Sequence, residues 1–147
     1  MLTTWRERWG AQANELTFCA PASETAVQEI IQKLGPGVPE DLVSVLRESN
    51  GVLGPYSLDL VWSAERILRD NLDFRSNREF QALYMSFDSA MFFGDGGNGD
   101  QFFFPVLGSG DVRSEVFVWN HEDDSRTWVA QTLEIFVMWY LDGTIKI

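Results

Sequence analysis

The sequence predicts an α+β domain with helices packed on one face of a mostly antiparallel sheet. Three observations lead there. Helical periodicity dominates the first half of the 147 residues. Short strand-like runs separated by tight turns fill residues 91–130. One more helical segment closes the chain. Consecutive strands joined by tight turns pair antiparallel, whereas a parallel sheet needs strands and helices to alternate throughout.

The elements follow in order. Residues 2–14 are expected to form a short helix carrying Leu2, Trp5 and Trp9. Cys19-Ala20-Pro21 interrupts it. Ser23 suits an N-cap, with Glu24 in the first turn. Val27, Ile30, Ile31 and Leu34 follow at i, i+3, i+4 and i+7, one face of a helix that Gly35-Pro36-Gly37 stops. Pro39 opens a second helix, with Leu42, Val43, Val45 and Leu46 on its apolar side and Asn50-Gly51 at its end. Tyr56, Leu58, Leu60 and Trp62 alternate with Ser57, Asp59 and Val61 and predict a half-buried strand. Ser63 caps a helix through Ile67, Leu68 and Leu72, ending between Phe74 and Phe80.

Beyond residue 90 the pattern changes. Met91-Phe92-Phe93 predicts a strand and Gly94 to Asp100 a glycine-rich loop. Gln101–Val106 and Glu115–Asn120 read as strands about the turn Gly108-Ser109-Gly110-Asp111. In the second, Phe117 and Trp119 share one face and Val116 and Val118 the other. The turn His121 to Ser125 leads into a strand from Arg126 to Ala130. Thr132 then caps a helix bearing Leu133, Phe136, Val137 and Tyr140, which Asp142-Gly143 ends.

Length and composition fit one domain over 1–147, with 1–21 as N-terminal helix and connector; 45% of residues are hydrophobic and 22% charged. That hydrophobic content excludes a largely disordered chain. The formal net charge is −11, with −4 over residues 1–80 and −7 over 81–147. Such a surface repels phosphate backbones, so nucleic acid and anionic membranes are poor partners, while a basic protein is steered toward it. One cysteine, Cys19, excludes an intramolecular disulfide framework and any cysteine-based zinc site. Met1 to Gly10 has no continuous apolar stretch of secretory type, and no run approaches the length of a membrane span. The expected location is cytoplasmic.

The chemistry-bearing clusters do not assemble into a catalytic signature. Gly94-Asp95-Gly96-Gly97-Asn98-Gly99-Asp100 lacks the Lys-Ser/Thr of a phosphate loop and the side-chain oxygens of an EF-hand. His121 is the only histidine, too few for an ordinary transition-metal site. Gly108-Ser109-Gly110 lacks the spacing of a nucleophile elbow. No catalytic residue, cofactor or metal is expected. Aromatic residues make up 14% of the chain, with six Trp and eleven Phe. Phe102-Phe103-Phe104 places rings on both sheet faces. Aromatic surface ringed by carboxylates suits a protein partner.

Three motifs carry a resemblance. The first is Leu34-Gly35-Pro36-Gly37-Val38-Pro39-Glu40-Asp41-Leu42, continuing to Ser49-Asn50-Gly51. The second is Phe92-Phe93-Gly94-Asp95-Gly96-Gly97-Asn98-Gly99-Asp100-Gln101-Phe102. The third is Val116-Phe117-Val118-Trp119-Asn120-His121-Glu122, with Leu133-Glu134-Ile135-Phe136 and Trp139 after it. In this order they resemble the SUKH superfamily, of bacterial toxin-immunity proteins and a fungal cell-wall regulator, over residues 22–142. The resemblance implies an α+β fold, no catalysis, and neutralisation of a toxin, often a nuclease, by direct binding in the cytoplasm. The expected contact residues, from charge and aromaticity, are Asp95, Asp100, Glu122, Asp123 and Asp124, with Trp62 and Trp119 as anchors. Alternatives are a regulatory scaffold that binds a host protein, and a small hydrolase using His121 with a nearby carboxylate.

Overall fold

The apolar stripes that define the helices also decide what they bury. In a computed structural model, which describes residues 3–35 and 37–145, Ser23 caps α2 (Glu24–Leu34) by accepting from the Ala26 N–H at 3.1 Å. Val27, Ile30 and Leu34 are its buried positions. Helix α3 (Glu40–Glu48) starts after Pro39 and buries Leu42, Val45 and Leu46. Ser63 caps α4 (Ala64–Ser76), and Thr132 caps α6 (Leu133–Leu141), whose Leu133, Phe136 and Val137 point inward. Each cap satisfies a backbone donor that the helix start leaves without an intrahelical partner.

The strands form two antiparallel sheets. The larger is a meander of β4 (Ala90–Asp95), β5 (Gln101–Pro105), β6 (Val116–Trp119) and β7 (Arg126–Ala130), in that spatial order. The smaller consists of β1 (Thr17–Phe18), β2 (Val52–Leu53) and β3 (Asp59–Val61). The Trp62 N–H donates to the Phe93 carbonyl at 2.7 Å and ties the small sheet to β4. Gly94 permits this approach, since a Cβ there would lie 2.1 Å from the Leu60 carbonyl oxygen. Beyond that tie α4 takes over the β4 edge. Asn71 accepts from the Phe92 N–H at 2.7 Å and donates to the Phe92 carbonyl at 2.8 Å, and Arg75 donates to the Ala90 carbonyl at 3.1 Å. An open edge is a template for aggregation, and side chains close this one.

The fold class is the expected α+β, and several boundaries differ from expectation. The N-terminal helix α1 covers only Trp5–Trp9, after which a 3-10 turn runs Gly10–Glu15. Leu2 lies outside the described residues. Trp5 and Trp9 are buried as expected: the Trp5 indole donates to Ser44 Oγ at 2.8 Å and that of Trp9 to the Glu134 carbonyl at 3.2 Å. The strand expected over 56–62 is shorter. Tyr56 sits in a 3-10 turn (Pro55–Ser57) at φ 62° and is fully exposed, so alternation begins only at Asp59. It also ends early, because Leu60, Val61 and Trp62 are all buried between layers. Strands β1 and β2, two residues each, are too short to carry a period. The helix after Ser63 ends at Ser76. Asn77 then accepts from the N–H groups of Glu79 and Phe80 and starts α5 (Arg78–Leu83).

Candidate partner-binding surface

Strand alternation divides Phe102-Phe103-Phe104 between the faces of the four-stranded sheet. Phe102 meets Phe136 of α6 at 4.5 Å between ring centroids, and Phe104 stacks on Phe93 at 4.5 Å. Phe103 points the other way, toward Phe92 and Phe117. The aromatic cover of this second face is assembled from several elements. Phe74 from the end of α4, Phe80 from α5 and Phe87 from a 3-10 turn (Phe87–Ser89) close over it with Tyr84. Trp119 packs edge-on against Phe87 at 5.3 Å and against Tyr84 at 5.1 Å. Covering a sheet with chain ends leaves a gap. A cavity of about 220 Å³ remains, lined by Phe74, Phe80, Phe87, Gly99, Gln101, Trp119 and His121.

The polar rim of this cavity is tightly organised. Asp100 is buried, and its Oδ1 accepts from the His121 backbone N–H at 3.1 Å and lies 2.6 Å from His121 Nδ1. A carboxylate opposite Nδ1 assigns the proton to that nitrogen. The imidazole lies over Gly99, where a Cβ would come within 2.7 Å of His121 Cε1 and displace the ring, and the φ of 97° there favours glycine. Gln101 Nε2 donates to Asp95 Oδ1 at 3.3 Å, while Gln101 Oε1 is buried without a partner.

The turn after Trp119 is held from inside. Asp124 adopts φ 60° and accepts from the Met85 N–H at 2.8 Å, the Trp119 indole at 2.7 Å and Arg126 at 3.2 Å. Burial pushes its carboxyl up, but the Met85 N–H, the Trp119 indole and Arg126 outweigh burial and hold it below the usual aspartate range. Asp123 accepts from the Ser125 N–H at 2.9 Å, and its hydrogen bonds with Ser125 lower its pKa. Glu122 and Asp123 are exposed.

The seven expected contact residues therefore separate. Asp100, Trp119, Glu122, Asp123 and Asp124 come together at this end of the sheet, Glu122 and Asp123 facing solvent and the other three turned inward. Asp95 and Trp62 belong to a different cluster. Arg66 of α4 binds Asp59 at 2.8 Å, Asp95 at 2.9 Å and Asp70 at 3.0 Å, with its guanidinium 4.0 Å from the Trp62 ring centroid. Burial raises the Asp59 pKa; Arg66 opposes that rise and neighbouring Asp95 adds to it. Trp62 is fully buried, and Asp95 is held by Arg66 in a part-exposed ion-pair cluster. Sequence reasoning missed Phe74, Phe80, Phe87 and Gln101. The recurrence of Phe over 74–87 is the available signal; a helix end between Phe74 and Phe80 accounts for the first two rings and leaves Phe87 in no element.

The residues lining the cavity include no Ser, Thr or Cys that His121 would activate. Among the described residues no group of three or more His, Cys, Asp and Glu is placed to hold a metal ion. No helix among them is long and apolar enough to cross a membrane.

The chain is an α+β domain with an aromatic cavity beside an acidic turn. A family model described as SUKH_6, SMI1-KNR4 cell-wall, matches residues 24–137, most of the chain. The chain belongs to the SUKH superfamily, whose domains are modules of toxin-immunity and cell-wall-regulator type and are generally non-catalytic. No curated protein matches it.

Proposed function

We propose that the chain is a single-domain, non-enzymatic immunity protein of the bacterial cytoplasm that neutralises a toxin by stoichiometric binding. The observation that carries this reading is the pairing of SUKH membership with a net charge of −11. An acidic inhibitor competes for the surface that a basic toxin, such as a nuclease, turns to its substrate. The contact surface is the cavity wall at Trp119 with the exposed carboxylates Glu122 and Asp123. Asp100 and Asp124 act through it by fixing His121 and Trp119, and Asp95 contributes through Gln101.

The test is affinity capture from the source organism's lysate at low and high salt, followed by expression of any captured basic protein alone and together with this chain. The reading expects a partner that is lost at high salt, toxic by itself and harmless in co-expression. A specific partner with no toxicity would replace it with the regulatory scaffold. Charge reversal at both exposed positions, Glu122→Lys with Asp123→Lys, should slow association and flatten its salt dependence with little change in stability. Unchanged association kinetics would place the contact on another face.

A further inference from the structure

We infer that the cavity between Phe74, Phe80, Phe87 and Trp119 is a socket for one arginine side chain of the protein partner. The inference rests on the partner-binding reading above and adds the chemistry of the residue that enters. Gln101 supplies the first argument. Its Nε2 donates to Asp95, so reversing the amide would set two acceptors against each other. The group left without a partner is thus a buried acceptor, Oε1, on a side chain that lines the cavity. A buried acceptor calls for a donor, and a purely apolar occupant would leave it unpaired.

The walls supply the second argument. Aromatic faces attract cations, and Arg more often than Lys. Phe87 already carries one guanidinium, with Arg126 at 5.0 Å from its ring centroid. Charge supplies the third. An exposed acidic residue adjoins most of the lining aromatics and His121 in sequence: Asp73 beside Phe74, Glu79 beside Phe80, Asp88 beside Phe87 and Glu122 beside His121. Of the cations at this end, Arg78 is exposed, while the part-buried Arg75 and Arg126 are engaged by the backbone carbonyls of Ala90 and of Met85 and Ser86. The net charge of −11 favours a cationic occupant over an anionic one. The volume of about 220 Å³ suits one side chain and falls below the usual range for drug-sized ligands. A planar guanidinium lies against rings and still directs N–H groups at Oε1, which an ammonium does less well. Oε1 is closed to solvent in the free protein, so His121 or Phe80 at the cavity wall shifts as the side chain enters, an ordinary rotamer change at an interface.

The probe is the peptide acetyl-Gly-Gly-Arg-Gly-Gly-amide, titrated into the full chain by 1H–15N NMR beside its lysine and citrulline counterparts. The expected result is saturable shifts at the Gln101 side-chain amide and the Trp119 indole. Binding should weaken about five- to ten-fold for citrulline, which keeps the shape and loses the charge. Phe80→Leu and Gln101→Leu should each weaken the arginine peptide by a similar factor, with native-like spectra confirming that the variants fold. Equal binding of citrulline, tighter binding of lysine, or shifts that bypass Gln101 and Trp119 would overturn the assignment. Two results separate the socket from the wider reading. Partner binding that survives both cavity variants but is lost on charge reversal at Glu122 and Asp123 overturns the socket alone. Peptide binding at the cavity with no protein partner retained at any salt supports the socket and overturns the immunity reading.

Discussion

The two faces of the four-stranded sheet start from the same tripeptide and end differently. On one side Phe102 and Phe104 are fully buried under α6, whose nine residues include only one formal charge, Glu134. On the other, Phe103 is nearly as buried, yet its cover is assembled from a helix end, a six-residue helix and a 3-10 turn. A continuous helix brings one row of side chains onto the sheet at close-packed density, and the cleft of about 310 Å³ on that side opens only at its border, between Pro39–Asp41, Phe104 and Leu133. A patchwork of chain ends leaves its gap among the rings. The face under α6 is covered by one continuous element, and the patched face carries the aromatic cavity proposed above as the partner's site.

The sharpest way to break this contrast is to delete one ring from each side. Phe136→Ala should cost about 3–5 kcal/mol, because Phe93, Phe102 and Tyr140 all lose their packing partner and α6 has nothing to refill the space. Phe80→Leu should cost about 1 kcal/mol, since Phe80 is only half-buried and the swap is nearly volume-conserving. Urea denaturation of both variants measures the gap. Equal costs would mean that the patched face is packed as tightly as the face under α6.

A second variant tests the border between the faces. Asn71 lies on α4 beneath the patched side and satisfies both backbone groups of Phe92. Asn71→Leu keeps the branched shape of the side chain and strands a buried N–H and a buried carbonyl, at a cost of roughly 2–4 kcal/mol. Amide exchange at Phe92 should then accelerate more than exchange in β6. If both strands exchange alike, the edge is not closed by this side chain.

The sequence made the side under α6 far more legible than the patched one. Helices α2, α3 and α6 announce themselves through apolar spacing and capping residues, and the meander through its turns. Asp95 and Trp62 illustrate what stayed hidden. An exposed-looking aspartate in a glycine-rich loop and a tryptophan on an alternating strand carry no local sign of Arg66, which reaches them from a helix. The cavity was hidden for a related reason. Its walls come from five separate elements and two loops, and no periodicity links Phe74 to Trp119. The acidic turn was visible as composition, but which carboxylates face inward depends on donors supplied at a distance, such as the Met85 N–H.

Asp124 provides the finest test of how the patched side is held. It is the one carboxylate that anchors the Trp119 indole, the Met85 backbone and Arg126 at once. Its folded pKa lies below its unfolded value. The stability it contributes is therefore fully present above the unfolded pKa, near pH 4, and is lost as pH falls through the lower folded value. Asp124→Asn should lower stability at pH 7 by on the order of 1–2 kcal/mol, because an amide satisfies fewer of the three donors and carries no charge. The difference between the two proteins should shrink as pH drops below about 4. Glu122→Gln, at an exposed neighbour that accepts none of these donors, should run parallel to the parent across the same range. Thermal melts at intervals from neutral to acid pH decide the matter. A constant Asp124→Asn deficit down to pH 2 would mean that shape, not charge, holds Trp119 in the cavity wall.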